Sequence, residues 1–380
     1  MLKKLAPLLI IFLFYFASRI SFFFIPIYLD LKGFNGLEIG ILVALSAVAA
    51  FISFFPSGII NDRKSIKKPL ALSFALLAIF YFGMTLVDGF VFFFILFLIG
   101  GIGTKVGSNS LKNYFLKKSQ LEKKGKSLGS YQLFVMIGVA FGVLSVGFFV
   151  PLFNFEIVLQ AVAVILALLI GLLFFLEDFE VSETKIHEYK TDFFKKDVIF
   201  FSLILFLFTL HWGAESTTYG LLLTEHFGLD VFGAGIYMAF SLIFVGIAAY
   251  FFGKRIDQKK TSVSKMLALG MLISGTMHIL MVFEPIAFSF FARAIHEIGD
   301  GMFEIGMLVW MADSFSFKRL AGNASLLMTV TVLGEIIGAI LFSTLGDMFG
   351  YASAFIVSGA IAVIASLFFV VLRKRFFLKN

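Results

Sequence analysis

The stretch GIINDRKSIKK, residues 58–68, separates two apolar runs that cover residues 36–60 and 69–86. Each run is long enough for a helix that crosses the hydrocarbon core of a bilayer. Between the runs, a glycine and an aspartate are followed by a cluster of Lys and Arg residues. This apolar, basic, apolar pattern predicts two membrane helices joined by a short connection that lies in water.

The same pattern recurs along the whole chain of 380 residues, of which 60% are hydrophobic and only 14% are charged. A soluble protein cannot bury this much apolar surface, so we predict an all-α membrane protein. The first apolar run is too long for a signal peptide and is expected to be retained. Twelve transmembrane helices are predicted, at roughly 5–29, 36–60, 69–86, 90–111, 128–150, 155–176, 198–223, 230–252, 265–283, 286–311, 322–346 and 351–372.

One long polar connection divides the twelve predicted helices six and six. The predicted domains are a bundle at 1–176, a cytoplasmic linker at 177–197 and a second bundle at 198–380. If the helices alternate in direction, 27 of the 31 Lys and Arg residues lie on one side of the membrane, whereas Lys32 alone lies on the other. The excess of positive charge predicts that this side is cytoplasmic. We therefore expect a multi-pass protein of the cell inner (cytoplasmic) membrane, with both termini in the cytoplasm.

The two halves also repeat each other. A shift of 195 residues aligns Gly58 with Gly253 and Asp62 with Asp257, and further small and polar residues match under the same shift. Matches that extend over helix, connection and helix predict two pseudo-symmetric six-helix bundles. Duplicated bundles of this kind are the architecture of many secondary transporters.

The two connections carry a resemblance to a known family. Both are similar to the signature loop of the major facilitator superfamily, in which a glycine precedes an aspartate that is followed by basic residues. The residues that carry the resemblance are Gly58, Asp62, Arg63, Gly253 and Asp257. Ser65 and Lys260 depart from the family pattern, which has a glycine at these places. The resemblance covers the whole chain and implies that the chain is a secondary transporter, with the loop acting as a conformational latch.

The predicted helix at 286–311 contains five ionisable residues, although charges at membrane depth are costly. At about 100° per residue, most of them share one face of the helix. The five are Arg293, His296, Glu297, Asp300 and Glu304. The Arg293–Gly299 segment also resembles an arginine motif of proton-coupled members of the superfamily, displaced here from the fourth to the tenth helix.

Other ionisable residues within predicted helices are Arg19, Lys105, His211, Glu215 and Glu335. The resemblance implies that helices one, four, seven and ten line a central cavity, and these helices hold most of them. If these residues and those of helix ten are counted together without the histidines, the acids exceed the bases by two. The ninth helix also contains a histidine. This helix is expected to face lipid, so His278 is interpreted as a lone interfacial histidine.

We assign candidate roles from charge and spacing. Asp300 and Glu304 are neighbours of like charge on one helix face, an arrangement that favours proton uptake. Arg293 and Glu297 have the spacing of an ion pair, which alternatively serves only to stiffen the helix. The proton-coupling candidates are Glu297, Asp300, His296, Glu304 and Glu335. The substrate-binding candidates are Arg19, Lys105, His211, Glu215 and Arg293.

The predicted function is proton-coupled secondary active transport of a small organic solute by alternating access. The acid-rich helix ten slightly favours efflux of a cationic or amphipathic solute. Proton symport that takes up a sugar or an organic anion is the alternative, because Arg19, Lys105 and Arg293 suit an anion. A lipid flippase on the same fold is a further alternative, and a sensor or scaffold is another.

Several functional classes are not expected. There are no cysteines, and we recognise no metal cluster, nucleophile arrangement or phosphate-binding glycine loop, so neither a cofactor nor an enzymatic activity is predicted. The basic residues lie in short runs between apolar segments, so nucleic acid is not an expected partner. The expected partners are a small-molecule substrate, the proton and the lipid bilayer, and the protein is expected to be a monomer.

Overall fold

The computed structural model is helical, with no strand among the residues that it describes. It describes the backbone of residues 2–376, and their side chains except at positions 2–4, 19–24, 36, 146, 147, 151, 231 and 374–376. The helices are α1 (Leu2–Leu31), α2 (Gly36–Arg63), α3 (Lys67–Met84), α4 (Phe90–Ser119), α5 (Lys124–Leu172), α6 (Ile186–Phe193), α7 (Lys196–Leu221), α8 (Val231–Asp257), α9 (Val263–Leu280), α10 (Ile286–Ser314), α11 (Leu320–Phe349) and α12 (Tyr351–Phe376).

Each of the twelve predicted segments lies on one of these helices, and α5 contains two of them. The break within α5 is at Asn154, whose φ of 67° is not helical. Its side-chain oxygen accepts the backbone N–H of Ile157 at 3.0 Å and so caps the second part of the helix. The short helix α6 lies in the polar connection between the two sets of six.

Ten helical stretches of the described chain are long and apolar enough to cross a membrane by length and composition. They correspond to all the predicted segments except the first and the tenth. In the first, the described side chains give a shorter apolar helix, Leu5–Ser18. The tenth is α10, which is 29 residues long but carries acidic and basic residues along its middle. Among the described helices, α10 is therefore the long helix whose charged residues keep it from counting as an apolar span, and it is the helix that carries the candidate site.

Polar residues at the ends of the apolar runs explain where several helices begin. Asn35 precedes α2, and its side chain accepts the N–H of Glu38 at 3.0 Å while Glu38 accepts the N–H of Asn35 at 2.9 Å. This capping box satisfies two backbone donors that would otherwise lack partners. Asp230 and Ser262 cap α8 and α9 with one hydrogen bond each, from the N–H of Gly233 and of Lys265.

Contacts within the chain define two compact units. The first contains Met1–Lys117, Phe134–Thr184 and Phe317–Ser325, and the second contains Lys118–Leu133, Lys185–Ser316 and Leu326–Asn380. The start of α5 thus belongs to the second unit and the start of α11 to the first. The division into bundles at 1–176 and 198–380 stays a prediction.

In the second unit, α10 packs between α8 and α9, and α12 packs on α7 and α9. The contact of α10 with α9 depends on glycine. A Cβ atom on Gly299 would lie 2.5 Å from the backbone nitrogen of Ser274 and 2.9 Å from the carbonyl oxygen of Gly270. The two backbones therefore touch, and this close approach brings the polar side chains of α9 to the charged face of α10.

Candidate functional site

The charged face of α10 lies inside the second unit. Arg293, His296, Glu297 and Asp300 each expose at most 5% of their surface, although all four are polar or charged. Asp300 is at the middle of the helix, as counted from its ends. Burying a charge costs several kcal/mol unless partners compensate for it, so the partners of these four residues define the site.

Arg293 lies between two carboxylates. Its Nη1 and Nη2 atoms donate to the two oxygens of Glu215 on α7, at 2.5 and 3.1 Å. Its Nη2 atom is also 2.5 Å from Glu297 Oε1. This second contact is an ion pair without hydrogen-bond geometry, since Glu297 Oε1 has no hydrogen-bond donor. The guanidinium carbon lies 4.5 Å from the centre of the Tyr219 ring, which adds a cation–π contact.

Three histidines surround the same carboxylate of Glu215. His296 Nε2 is 2.8 Å from Glu215 Oε1, and His278 Nδ1 of α9 is 3.3 Å from the same oxygen. His211 of α7 completes the group, with ring centres 5.1 Å from His278 and 5.5 Å from His296. All three imidazoles are fully buried.

Asp300 lies on the other side of the histidines. The indole N–H of Trp212 donates to its Oδ2 atom at 2.8 Å. His211 Nε2 is 3.6 Å from Oδ1 and His296 Nε2 is 3.8 Å from Oδ2. Because Oδ1 has no hydrogen-bond donor, this buried carboxylate is only partly satisfied. A proton, a water molecule or a cation at Oδ1 would complete its environment.

We name the charge cluster by its seven ionisable members: His211, Glu215, His278, Arg293, His296, Glu297 and Asp300. Three carboxylates and one guanidinium give it a net charge of −2 when the histidines are neutral. An uncompensated charge in a low-dielectric interior is strongly unfavourable. The arrangement is thus suited to bind cations, and to bind and release them if its surroundings change.

The remaining candidates lie outside the charge cluster. Glu304 is half-buried and accepts a hydrogen bond from the side chain of Gln132. Glu335 is half-buried on α11. Lys105, in the first unit, has its Nζ atom 4.7 Å from the centre of the Phe54 ring. The side chain of Arg19 lies outside the described residues, so its substrate-binding role stays a prediction.

Sequence reasoning missed part of the cluster. The interpretation of His278 as an interfacial histidine facing lipid is wrong, because its ring is fully buried against Glu215 and donates from Nε2 towards Ser358 Oγ at 3.0 Å. Trp212 and Ser274 were also missed, although Trp212 adjoins His211 and Ser274 lies one turn before His278. A polar face on α9 was the available signal.

The first copy of the signature loop contacts the start of α11 within the first unit. Asp62 is fully buried and accepts the N–H groups of Ala321 and Gly322 at 3.1 and 2.7 Å. Its carboxylate also pairs with Lys117 at 3.0 Å. A Cβ atom on Gly58 would lie 2.8 Å from Ala321 O, so this glycine permits the close approach. Arg63 instead donates to the carbonyl oxygen of Thr184.

The second copy repeats this geometry at the start of α5, within the second unit. Asp257 accepts the N–H groups of Gly125 and Lys126, each at 2.8 Å. A Cβ atom on Gly253 would lie 2.2 Å from Gly125 O. Both aspartates therefore place a negative charge at a helix amino terminus, where the helix dipole favours it.

Two groups within the charge cluster have the composition of a metal site. His211, Glu215, His278 and His296 form one, and His296, Glu297 and Asp300 form the other, each with ligand atoms within 4.8 Å of one another. The residues come from three helices, so no motif in the sequence joins them.

Comparisons with known proteins agree on one family. A sequence model of the Major Facilitator Superfamily matches residues 8–264 and 201–376. YxaM of Bacillus subtilis (strain 168), described as an uncharacterised MFS-type transporter, is 21% identical over 369 residues, with 92% of this chain and 90% of that protein covered.

Two solved structures have a similar fold. The human organic anion transporter MFSD10 (TETRAN) matches with a TM-score of 0.77 at 12% identity, over 97% of this chain and 99% of that one. The nucleoside transporter NupG matches with a TM-score of 0.69 at 15% identity, over 98% and 100% of the two chains. At these identities the likeness concerns the fold alone.

Proposed function

This chain belongs to the major facilitator superfamily, and we propose that it is a proton-coupled secondary active transporter that moves a small organic solute by alternating access. Family membership confirms the predicted fold class, the multi-pass membrane character and a transporting rather than enzymatic function. Proton coupling, the kind of solute and the direction of transport are what the proposal adds.

The observation that carries the proposal is the excess of three carboxylates over one guanidinium in the charge cluster, around the middle of α10, which gives a net charge of −2 when the histidines are neutral. A secondary transporter needs a site whose charge differs between the states that open to the two sides of the membrane. Carboxylates and imidazoles can supply that difference by taking up protons. The ionisable groups that face Glu297 and Asp300 are His211 and Glu215 from α7, His278 from α9, and Arg293 and His296 from α10 itself.

The roles are proposed as follows. Glu297 and Asp300 bind the coupling protons, and His296, which lies between Glu215 and Asp300, exchanges protons with them. His211, Glu215 and Arg293 were assigned to the solute from sequence, and their place in the same cluster supports direct competition between solute and protons. Glu304 and Glu335 stay proposed proton-coupling residues, and Arg19 and Lys105 stay proposed substrate-binding residues.

The solute is proposed to be cationic or amphipathic, with efflux slightly favoured. Arg293 supports this choice, because two carboxylates already occupy its guanidinium group and leave it poorly placed to hold an anion. Uptake of a sugar or an organic anion by proton symport remains the second candidate. MFSD10 and NupG, whose names give organic anions and nucleosides as solutes, agree with the broader class of small organic molecules.

We place the protein in the inner membrane, with both termini in the cytoplasm, on the distribution of Lys and Arg residues. The signature loops then lie on the cytoplasmic side. There, Asp62 and Asp257 are proposed to act as a paired latch, because each holds the start of a helix distant in sequence. Lipid transport on the same fold is the third candidate function.

The experiment is a proton-flux assay in proteoliposomes that contain an internal pH dye. Candidate solutes of each charge class are added, and the proton movement that each one drives is recorded. Glu297→Gln and Asp300→Asn are expected to reduce solute-driven proton flux by at least tenfold, because each removes a buried acid that can carry a proton. The direction of proton movement relative to the solute separates antiport from symport.

Glu38→Gln is the matched control, since Glu38 is a half-buried carboxylate in the capping box of α2 and lies outside the charge cluster. It should leave the flux within about twofold of the unchanged protein. The proposal is wrong if a transported solute drives the same proton flux, with the same pH dependence, in Glu297→Gln and Asp300→Asn. Transport of lipid alone, without proton movement, would favour the third candidate.

A further inference from the structure

Three of the five histidines of the chain converge on a single carboxylate. His278 and His296 direct ring nitrogens at one oxygen of Glu215, and the Nε2 atom of His211 lies within 4.8 Å of the other three ligand atoms. The exposed fraction of each of the three histidines is 0%. Chance burial of a histidine is common, but convergence of three from three different helices requires an explanation.

The opposite nitrogen of each ring already has a hydrogen-bond acceptor. His211 Nδ1 lies 2.5 Å from Phe208 O, and His296 Nδ1 lies 2.9 Å from Ser274 O. His278 Nε2 lies 3.0 Å from Ser358 Oγ, whose own hydrogen is donated to Phe355 O. Carbonyl oxygens can only accept, so these contacts place the N–H groups on the outer nitrogens and fix the tautomers.

When the rings are neutral, the inner nitrogens carry the lone pairs. His278 Nδ1 and His296 Nε2 have no well-directed hydrogen bond, although both lie within 3.3 Å of Glu215 Oε1. Lone pairs that face a carboxylate oxygen repel it, and a cation between them would turn the repulsion into attraction. Histidines that bind metals show this same pattern, with the outer N–H held by a carbonyl or another oxygen acceptor.

We propose that His211, Glu215, His278 and His296 bind a divalent transition-metal ion. Three imidazoles and one carboxylate are a ligand set that suits zinc, cobalt or nickel, and magnesium or calcium would prefer oxygen ligands. The ligand atoms of a tetrahedral zinc ion lie about 3.3 Å apart, given bonds of about 2.0 Å. The four ligand atoms present lie within 4.8 Å of one another, so binding requires them to draw together.

Charge also favours a single dication at this place. The charge cluster has a net charge of −2 with neutral histidines, so one divalent ion neutralises it. Protonation of all three imidazoles would instead place three positive charges on rings whose centres are 5.0 to 5.5 Å apart. Arg293 Nη1 donates to the same Oε1 atom of Glu215 at 2.5 Å, so an ion that takes this oxygen would displace that contact and leave Arg293 with Glu297 and the second oxygen of Glu215. Glu215 is the accessible member of this ligand set, with 17% of its side chain exposed.

Metal binding goes beyond the proposed function, since it needs neither a solute nor a pH gradient. The test uses the full-length protein in detergent, purified with an affinity tag that contains no histidine. Zinc binding is measured by calorimetry, and cobalt binding by its visible absorption, which is intense for tetrahedral coordination. We expect one ion per chain, and at least a tenfold loss of affinity in His278→Ala. Ser358→Ala, which removes only the acceptor of the outer N–H, should weaken binding by roughly tenfold.

His226→Ala is the matched control, because His226 lies five residues beyond the end of α7 and contacts Val282 O instead of the cluster. It should bind zinc as the unchanged protein does. If His278→Ala fails to fold, as judged by gel filtration, His278→Gln and Ser358→Ala carry the test. Absence of saturable binding up to millimolar zinc, or binding that survives His278 substitution, would overturn the metal site. Proton flux measured with a chelator present tests the proposed function separately, so each can fail alone.

Discussion

Arg293 is the residue on which the charge cluster depends most. It is the one guanidinium among three carboxylates, and it contacts two of them directly. Replacement with glutamine keeps a polar side chain but shortens it, and leaves the acids without their fixed positive charge. We expect Arg293→Gln to lower the free energy of unfolding by about 3 to 5 kcal/mol, the usual cost of breaking a buried ion pair. Chemical denaturation in detergent measures this change.

The control for this prediction removes one charge of each sign. The double variant Arg293→Gln with Glu215→Gln should be more stable than Arg293→Gln alone, because the lost guanidinium is matched by a lost carboxylate. Non-additive free energies in this double-mutant cycle report direct coupling of the two side chains. Additive losses would mean that the two residues do not act as a pair.

Sequence patterns reveal some members of the charge cluster and hide others. The stripe on α10 is visible because a fixed helical period places Arg293, Glu297 and Asp300 on one face. Glu215 and His211 were found because ionisable residues are rare in apolar segments. His278 was misread, since a single histidine on an apolar helix looks the same whether it faces lipid or a neighbouring carboxylate. Only packing of α9 on α10 distinguishes the two cases.

At the scale of the helix, Gly299 sets the distance between α9 and α10. A Cβ atom there would meet the backbone of Ser274 at 2.5 Å, which no side-chain movement can relieve. Gly299→Ala should therefore destabilise the protein by about 1 to 3 kcal/mol. It should also reduce solute-driven proton flux, because His296 and His278 move apart. Thermal unfolding and the proteoliposome assay check the two effects.

Gly235 on α8 supplies the comparison for that substitution. A Cβ atom on Gly235 would meet nothing within 4 Å. Gly235→Ala should be neutral or stabilise the helix by up to about 1 kcal/mol, since alanine has the higher helix propensity. Equal destabilisation by both substitutions would show that the contact between α9 and α10 is not as tight as described.

The two signature aspartates make a prediction about helix starts. Asp62 is fully buried and pairs with Lys117, which is 1% exposed, whereas Asp257 is half-buried. Asp62→Asn should cost about 3 to 5 kcal/mol because it leaves a buried lysine uncompensated. Asp257→Asn should cost only about 1 kcal/mol, the typical value for a charge at a helix terminus. Thermal unfolding of the two variants side by side tests the order.

A double variant tests whether the Asp62–Lys117 pair makes Asp62→Asn more destabilising than Asp257→Asn. Combining Asp62→Asn with Lys117→Gln should recover part of the loss, since the lysine no longer lacks a counter-charge. If Asp62→Asn and Asp257→Asn are equally stable, the pairing with Lys117 contributes nothing. The close approach of Gly58 to α11 would then be the main stabilising feature of the first loop.

For the whole molecule, most of the architecture could be predicted from residue patterns. Apolar runs placed the ends of the helices to within five residues, except that α4 extends eight residues beyond its predicted end at 111. The polar starts of α5 and α11 could not be assigned to a unit in advance. Their contacts with Asp257 and Asp62 depend on how helices distant in sequence pack.

The orientation in the membrane is a prediction for the whole chain that the absence of cysteines makes simple to test. A cysteine at Lys64 should resist a membrane-impermeant reagent added outside intact cells, because this loop is expected in the cytoplasm. A cysteine at Lys32 should react, since Lys32 lies in the connection predicted on the other side. The reverse labelling pattern would overturn the assigned topology.

The charge cluster is proposed to couple solute movement to protons. The most direct measurement compares two modes of transport in Asp300→Asn proteoliposomes: counterflow of labelled against unlabelled solute, and uphill accumulation driven by a pH gradient. We predict that counterflow continues within a fewfold of the unchanged protein, while accumulation falls at least tenfold. If Asp300→Asn still accumulates the solute at the full rate, Asp300 does not couple transport to protons.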